Sequence, residues 1–329
     1  MRAVVITEQG GPEVLRVEEV PDPQPEPRHV VIDVAAAALN RADLLQARGM
    51  HPPPPGAPPW PGLEASGVIT AVGEGVGDWQ VGQRVCALLD GGGYAEQVAV
   101  PVRGLLPVPE QMDLVEAAAL PEGLCTVWSN VTGPAGMRAA DLDGTWVLVH
   151  GGSGGVGSLA IQILAAFGAR VITTAGGSER AERCRTFGAE VVVDHHSQDF
   201  AEVVHATTAG EGVALILDVV GGPYLEANLQ SLARLGHLVV IGVMQGGKSE
   251  INLQDLMQGW TSVHGSLLRA RPPHEKEEIV ARVREEVWPL VDQGRIQPLV
   301  DRTYPLDQAR QAQEAMAAGG VFGKILLVP

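Results

Sequence analysis

The stretch Trp146-Val147-Leu148-Val149-His150-Gly151-Gly152-Ser153-Gly154-Gly155-Val156-Gly157 combines residue types that can hold a diphosphate. An apolar run ends in a cluster of five glycines, and an amphipathic helical pattern begins at once. That order reads as a buried strand, a tight turn and a helix N-terminus. Such a terminus offers unpaired N–H groups and a partial positive charge. Glycines let a phosphate approach the backbone closely. A glycine loop alone is a weak signal, but the strand before it and the helix after it are the context a dinucleotide site requires.

The group on the adenine ribose is read one strand later. An acid at the end of the second strand binds the 2′-OH of NAD, whereas a neutral end with a nearby cation suits the 2′-phosphate of NADP. Here the strand ends Thr173-Thr174-Ala175-Gly176-Gly177-Ser178, without an acid, and Arg180 follows. His195, after the next strand, offers a second contact. This pattern favours NADPH. The alternative, in which Arg180 and His195 are ordinary solvated surface residues, stays open.

No competing chemistry stands out. His195 and His196 are adjacent, so on a strand they face opposite sides. Cys86, Cys125 and Cys184 are scattered and form no C-x-x-C. They read as small buried residues of a reducing, cytoplasmic compartment. Ser153 sits inside the glycine loop, where a phosphate would block a nucleophile. With neither metal nor nucleophile, the chemistry belongs to the nicotinamide.

The elements that must position these residues follow from periodicity. Residues 1 to about 120 are short strand-like runs such as Val30–Val34, Gly67–Val72, Arg84–Leu88 and Gln97–Val100, broken by Gly and Pro. They suggest a small β-barrel or partly open sheet. Residues 51–61 hold seven prolines, an irregular loop that is either a surface connector or a stiff wall. From about 122 to 265, strands and helices alternate. Val156, Leu159, Ala160, Ile163, Leu164 and Phe167 fall at helical spacing. Ser178 can cap a helix that Gly188 ends, and a further helix is expected around 197–208. The strands Val191–Val193, Val213–Leu217 and His237–Ile241 are nearly all apolar. Together they predict an α/β fold with a parallel, doubly wound sheet. One amphipathic helix is expected from Glu275 to Gln293, and a last strand, Ile325–Val328, returns to the N-terminal domain.

Bulk properties agree. The chain of 329 residues is long enough for two domains, and 45% of it is hydrophobic. No run of about 18 apolar residues predicts a membrane span. Met1–Ile6 reads as a first strand rather than a signal peptide. A net charge of −16 argues against nucleic acid as a partner.

At this point several motifs converge: Leu39-Asn40-Arg41-Ala42-Asp43, Pro61-Gly62-Leu63-Glu64-Ala65-Ser66-Gly67, Gly91-Gly92-Gly93-Tyr94-Ala95-Glu96, the Gly151–Gly157 loop, Leu217-Asp218-Val219-Val220-Gly221-Gly222, and Gly323-Lys324-Ile325-Leu326. In this order, over nearly the whole chain, they resemble the zinc-free quinone oxidoreductase (zeta-crystallin-like) branch of the medium-chain dehydrogenase/reductase superfamily. Zinc-dependent relatives carry a Cys near the position of Asn40, a His where Leu63 stands, and a four-cysteine lobe near residue 90. All three are missing here, so no metal is expected.

The resemblance implies a discontinuous GroES-like β-barrel domain (1–122 and 267–329) and a Rossmann domain (123–266), with the active site in the cleft between them. It implies nicotinamide contacts from Asn40, Thr126, Gly242 and Val243, with Leu267 and Leu268 near the same cleft. The diphosphate falls to Gly154, Gly155 and Val156, beside Gly152 and Ser153. Thr174, Ser178, Arg180 and His195 form the ribose corner, and Val219 and Val220 follow a later strand. Lys324 reaches the cofactor. Bland alternatives stand beside two of these: Thr126 as a helix cap, Lys324 as a solvated strand end. Many relatives carry a Tyr after the R-x-G segment, but this chain reads Arg48-Gly49-Met50-His51, which leaves that role vacant or passes it to His51. The activity implied is NADPH-dependent reduction of a quinone, with Asn40 and His51 as catalytic residues. Reduction of an activated C=C bond, as in an enone or enoyl thioester, is the second reading. A redox-poor NADPH-binding structural protein is the third. A homodimer pairing edge to edge near residues 238–270 is implied as well.

Overall fold

The computed structural model describes all 329 residues, Met1–Pro329. The chain divides into two compact units. The first holds Met1–Cys125, Arg269–Asp292 and Pro298–Pro329; the second holds Thr126–Leu268 and Gln293–Gln297.

The first unit carries β1 (Arg2–Ile6), β2 (Leu15–Glu19), β3 (His29–Ala38), β4 (Glu64–Val72), β5 (Arg84–Leu88), β6 (Gln97–Pro101) and β7 (Leu105–Pro107), then β14 (Val300–Pro305) and β15 (Lys324–Val328). β1 and β2 pair antiparallel. The others form a seven-stranded sheet in the order β14-β15-β3-β4-β5-β7, with β6 added on β3. Val30, Ile32, Val34, Ile69, Val85, Val98, Val100 and Leu327 meet in one buried cluster. Helices α1 (Arg41–Ala47) and α2 (Pro121–Thr132) flank this sheet region in sequence, and α2 runs on into residues of the second unit.

Register in this sheet decides what its strand ends bring together. β15 runs antiparallel to β3 with Leu326 opposite Ala38 and Leu327 opposite Ala37. Continued past the strand end, that register sets Lys324 opposite Asn40. β4 pairs with β3 through Ala65 opposite Ala37, which sets Glu64 beside Ala38. Side chains two residues apart share a face, so Lys324, Asn40 and Glu64 converge.

The second unit is the doubly wound sheet. Its strands are β8 (Trp146–Val149), β9 (Arg170–Ala175), β10 (Ala189–Asp194), β11 (Val213–Asp218), β12 (Leu232–Val240) and β13 (Ser262–Gly265). The order is β10-β9-β8-β11-β12-β13, all pairs parallel. This is the doubly wound order 3-2-1-4-5-6. The helices are α3 (Gly155–Ala166), α4 (Ser178–Thr186), α5 (Phe200–Thr207), α6 (Leu225–Ser231) and α7 (Leu253–Gly259). α3 is buried continuously from Gly157 to Leu164, hence its almost wholly apolar sequence.

Several expectations change in detail. Gly177, at φ 83°, is the N-cap of α4, so Ser178 is its first helical residue and bonds no backbone amide as a cap. α5 starts three residues later than expected, because Asp199 caps it by accepting the amides of Ala201 and Glu202. The single helix expected over 275–293 is α8 (Pro273–Arg282), a π turn (Val283–Val287) and α9 (Trp288–Asp292). Pro289 has no N–H to give and its ring crowds the carbonyl four residues back, so the helical ladder shifts there. Gln293–Gln297 joins the Rossmann unit because Gln162 on α3 donates to the Gln297 carbonyl and accepts its amide, while Arg295 caps the Ala166 carbonyl. The chain then forms β14 and α10 (Ala309–Ala318). No helix is long and apolar enough to cross a membrane.

Candidate functional site

In the second unit the candidate cofactor residues gather at the carboxyl ends of the parallel strands. The glycine loop leaves β8, turns at Gly151 (φ 70°) and enters α3 with Gly154 as N-cap. Each glycine has its own reason. A Cβ on Gly152 would lie 2.2 Å from Thr173 Oγ1, and one on Gly157 2.1 Å from the Gly151 carbonyl, so packing excludes side chains there. At Gly154 the nearest atom would be 3.4 Å away and φ is an ordinary −82°, so packing does not demand a glycine. A side chain there would fill the space in front of the α3 N-terminus, where an anion is best placed. The residues present thus fit a diphosphate.

Ser153, Gly154, Gly155 and Val156 are half-buried around that space. Val219 and Val220 follow β11 directly, and Gly242 and Val243 follow β12. Backbone hydrogen bonds join these loops: Gly242 N–H to Asp218 O, Met244 N–H to Val219 O, and Gln245 N–H to Val220 O, at 3.0–3.2 Å. Leu267, 61% exposed, follows β13, while Leu268 beside it is buried.

The ribose corner is more populated than its sequence suggested. Arg180 lies in the first turn of α4, half-buried and without a salt bridge. His195 and His196 do not lie on a strand. β10 stops at Asp194, and in the turn that follows the two rings pack edge to face at 4.2 Å. Both approach Gly176, where a Cβ would lie 3.2 Å from His195 Nε2 and 2.7 Å from His196 Nε2. Asp194 accepts the amides of Gly177 and His196 and so fixes this turn. Thr174, in contrast, points inward at 1% exposure, and its hydroxyl is bonded to His150 and to the Gly151 amide.

In the first unit, Lys324 is no solvated strand end. It is 4% exposed, and its ammonium lies 2.5 Å from both Asn40 Oδ1 and Glu64 Oε1. Asn40 Nδ2 donates to the same Glu64 oxygen at 2.9 Å. The other Glu64 oxygen accepts the backbone amide of Glu122. Asn40 opens α1 through a capping box, its own amide bonded to Asp43. Asp43 also accepts the Gly62 amide and the Tyr94 hydroxyl. Burial pushes Asp43 up to about 6 despite these donors.

Glu122 differs from its neighbours. Between Pro121 and Val131, α2 is fully buried except at Glu122 and Thr126, which are half-buried. No hydrogen bond engages the Glu122 carboxyl. Burial, then the Glu64 carboxylate, push it up to about 8, so it is protonated at neutral pH. Thr126 caps nothing: it sits inside α2, and its carbonyl accepts Asn130 Nδ2 at 2.7 Å.

His51 is half-buried in the proline loop. Burial, with the Arg269 guanidinium beside it, lowers its pKa below the usual histidine value. That loop is pinned by Arg269 to the His51 carbonyl, by Gln46 to Pro59, and by the Trp60 indole to Gly92.

Sequence reading missed Glu64, Asp43, Tyr94, Glu122, His150, Asn228 and Asp218. Glu64, Asp43 and Tyr94 lie inside the family motifs, but nothing local in those motifs says that they meet. Asn40 and Glu64 are 24 residues apart, and Lys324 is 260 from Glu64.

Comparison with known proteins fits this geometry. The "Alcohol dehydrogenase GroES-like domain" family matches residues 26–110, and the "Zinc-binding dehydrogenase" family matches residues 155–285. No group of three or more His, Cys, Asp or Glu is placed to hold a metal ion. The chain is 32% identical to the quinone oxidoreductase of Rattus norvegicus, over 100% of this chain and 98% of that protein. Among solved structures, that of an NAD-dependent alcohol dehydrogenase has a TM-score of 0.88 at 31% identity, with 100% of both chains covered. The Escherichia coli quinone oxidoreductase complexed with NADPH has a TM-score of 0.86 at 27% identity, again over 100% of both chains. With two family profiles in order along the chain and full-length relatives at this identity, the protein belongs to the quinone oxidoreductase family of the medium-chain dehydrogenase/reductase superfamily.

Proposed function

We propose that this protein is an NADPH-dependent quinone reductase. The observation that carries the reading is the α3 N-terminus: an anion cradle kept open by Gly154 beside a β9 end that bears no acid. Bound NADPH supplies the hydride that reduces the quinone. The amides of Gly155 and Val156 bind the diphosphate, while the Gly154 amide stays on the Gly151 carbonyl and holds the turn in shape. Arg180, which no carboxylate of the chain engages, pairs with the 2′-phosphate, and Ser178 and His195 line the same corner. An acid at that strand end would instead bind the 2′-OH of NAD.

Asn40 takes a changed role. Its side-chain oxygen is held by Lys324 and its nitrogen by Glu64, so it orders the polar cluster rather than reaching out alone. We assign the proton for the reduced acceptor to Glu122, whose carboxyl is kept protonated and is engaged by no hydrogen bond, rather than to His51, whose pKa burial lowers. Carboxyls whose environments hold their pKa values apart take different roles.

A second copy of the chain is the partner we assign to the β13 edge. Leu253, Met257, Trp260 and Val263 are all exposed there, beside the outer edge of the last strand of the sheet. Three buried free cysteines fit a reducing, cytoplasmic setting. The test is stopped-flow NADPH oxidation with ortho- and para-quinones, run against NADH and against an enone. Turnover of quinones with preference for NADPH supports the assignment. Enone turnover alone moves it to C=C reduction, and tight NADPH binding without any turnover moves it to a structural role.

A further inference from the structure

β8, β9 and β11 end side by side, and each delivers a polar group to one buried row. Thr174 and Asp218 are 1% exposed, His150 is 1%, and Asn228 of α6 is 0%. The contacts run in sequence. Gly151 N–H reaches Thr174 Oγ1 at 3.1 Å, and Thr174 Oγ1 lies 3.2 Å from His150 Nδ1. His150 Nε2 lies 2.7 Å from Asn228 Oδ1, and Asn228 Nδ2 reaches Asp218 Oδ2 at 3.1 Å. Asp218 also accepts the amides of Val220 and Gly221.

The two ends of this row fix the direction of every bond. A carboxylate only accepts, so the amide NH₂ of Asn228 must face Asp218. Its carbonyl is then left for His150 Nε2, which has to carry the ring proton. A neutral imidazole has only one, so Nδ1 accepts, and the Thr174 hydroxyl donates to it. That leaves the hydroxyl oxygen to accept the Gly151 amide, which can only donate. Along the row each donor atom meets an acceptor, with one N–H of the Asn228 amide left outside it. The ring is walled by Phe200 and Tyr224, with centroids 4.7 and 4.9 Å away. Burial lowers its pKa to about 4, in keeping with a neutral ring.

We propose that Thr174, His150 and Asn228 are positioning residues for the cofactor, a proton-ordered chain that locks the glycine loop at Gly151 to the β11 loop at Val220–Gly221. The β11 loop in turn holds the β12 loop through the Met244 and Gln245 amides, so the chain reaches three of the loops assigned to NADPH. This rests on the reading that the glycine loop binds NADPH. A site fixed before binding loses less entropy on binding, so the chain acts through affinity. It also gives Thr174 a different task from ribose recognition: its hydroxyl faces away from the ligand and sets the loop behind it.

The experiment compares wild type, Thr174→Val and Thr174→Ser. NADPH affinity is read from nicotinamide fluorescence, and the His150 tautomer from ¹⁵N NMR of labelled protein. Thr174→Val keeps the side-chain shape but breaks both bonds. It should weaken NADPH binding about tenfold, the size of one lost net hydrogen bond with a buried partner left unpaired. Thr174→Ser should stay within about twofold of wild type, because the hydroxyl is restored. His150 should be the neutral Nε2–H tautomer. Equal NADPH affinity in wild type and Thr174→Val, with only the melting temperature lowered, overturns the positioning role. So does an Nδ1–H or charged His150 at neutral pH, a readout that stands even if Thr174→Val fails to fold. A wild type that binds no NADPH overturns the cofactor reading and this role with it, whereas tight wild-type binding with no loss in Thr174→Val overturns this role alone.

Discussion

Lys324 and Glu64 form a buried ion pair, Nζ to Oε1 at 2.5 Å, with side chains 4% and 0% exposed. They lie 260 residues apart in sequence, and the β15–β3–β4 register makes them neighbours. Because Asn40 bonds both, the pair also fixes the residue that opens α1.

Removing one member of a buried pair leaves the other charge uncompensated. Lys324→Met should therefore lower stability by about 3–5 kcal/mol, while replacing both, Lys324→Met with Glu64→Gln, recovers much of that loss. Urea denaturation of the two variants measures it. A single variant as stable as wild type would show that the pair carries no net interaction.

His150 gives a pH signature. Its folded pKa of about 4 lies below the usual value of 6.5. Above pH 6.5 the ring is neutral in both states and adds no pH dependence. As pH falls from 6.5 to 4, only the unfolded chain takes up the proton, so stability drops by about 1.4 kcal/mol per pH unit, roughly 3 kcal/mol in all. Asp43, raised by burial to about 6, works in the opposite sense below that pH, since the folded state protonates first. The difference between wild type and His150→Gln across about pH 4–7 isolates the histidine. Parallel stability curves for the two proteins would contradict it.

Glu122 predicts the high-pH limb of the rate profile. As pH rises through about 8 the carboxyl loses its proton, and kcat/KM for a quinone should fall with it. Glu122→Gln should be slower by about a hundredfold, a typical share for a positioned general acid, and should lack that limb. Folding is linked to the same group: the proton is retained in the folded state and lost in the unfolded one between pH 4.5 and 8. The acid form thus fits the fold at low pH, and stability declines as pH rises through that window. Glu122→Gln should melt above wild type at about pH 8 and level with it at about pH 4. An unchanged rate profile in the variant would remove Glu122 from catalysis.

Arg180 predicts cofactor choice. Arg180→Ala should weaken NADPH binding about ten- to a hundredfold, the cost of a charge-assisted bond to phosphate, and leave NADH binding unchanged. Titrating both nucleotides side by side decides it, and an equal loss for the two would mean that Arg180 does not read the 2′-phosphate.

Much of the second unit was legible because its signals are local. The glycine loop, the apolar strands and the missing acid after Thr174 are properties of consecutive residues, and burial periodicity writes them directly into the chain. Even there, the capping of α4 by Gly177 and the turn that brings His195 against His196 depended on where a strand stopped, which propensity fixes only to within a few residues. Pro289 was visible, but the π turn it imposes is a response of the helical ladder around it.

The first unit's chemistry was hidden for a different reason. Asn40 and Lys324 are marked only by the family motifs, and Glu64 and Glu122 look like ordinary polar residues in their own segments. Sheet register makes them one cluster, and register is a relation between strands that no single strand encodes. The same holds for His150 and Asn228, 78 residues apart, whose bond exists only because β8, β11 and α6 pack together. The sequence by itself determined the strand–glycine turn–helix unit and the cofactor class, since backbone conformation and local charge are set by neighbours. Only the tertiary structure decided which carboxyl stays protonated and which histidine stays neutral, because burial and hydrogen-bond partners come from distant parts of the chain.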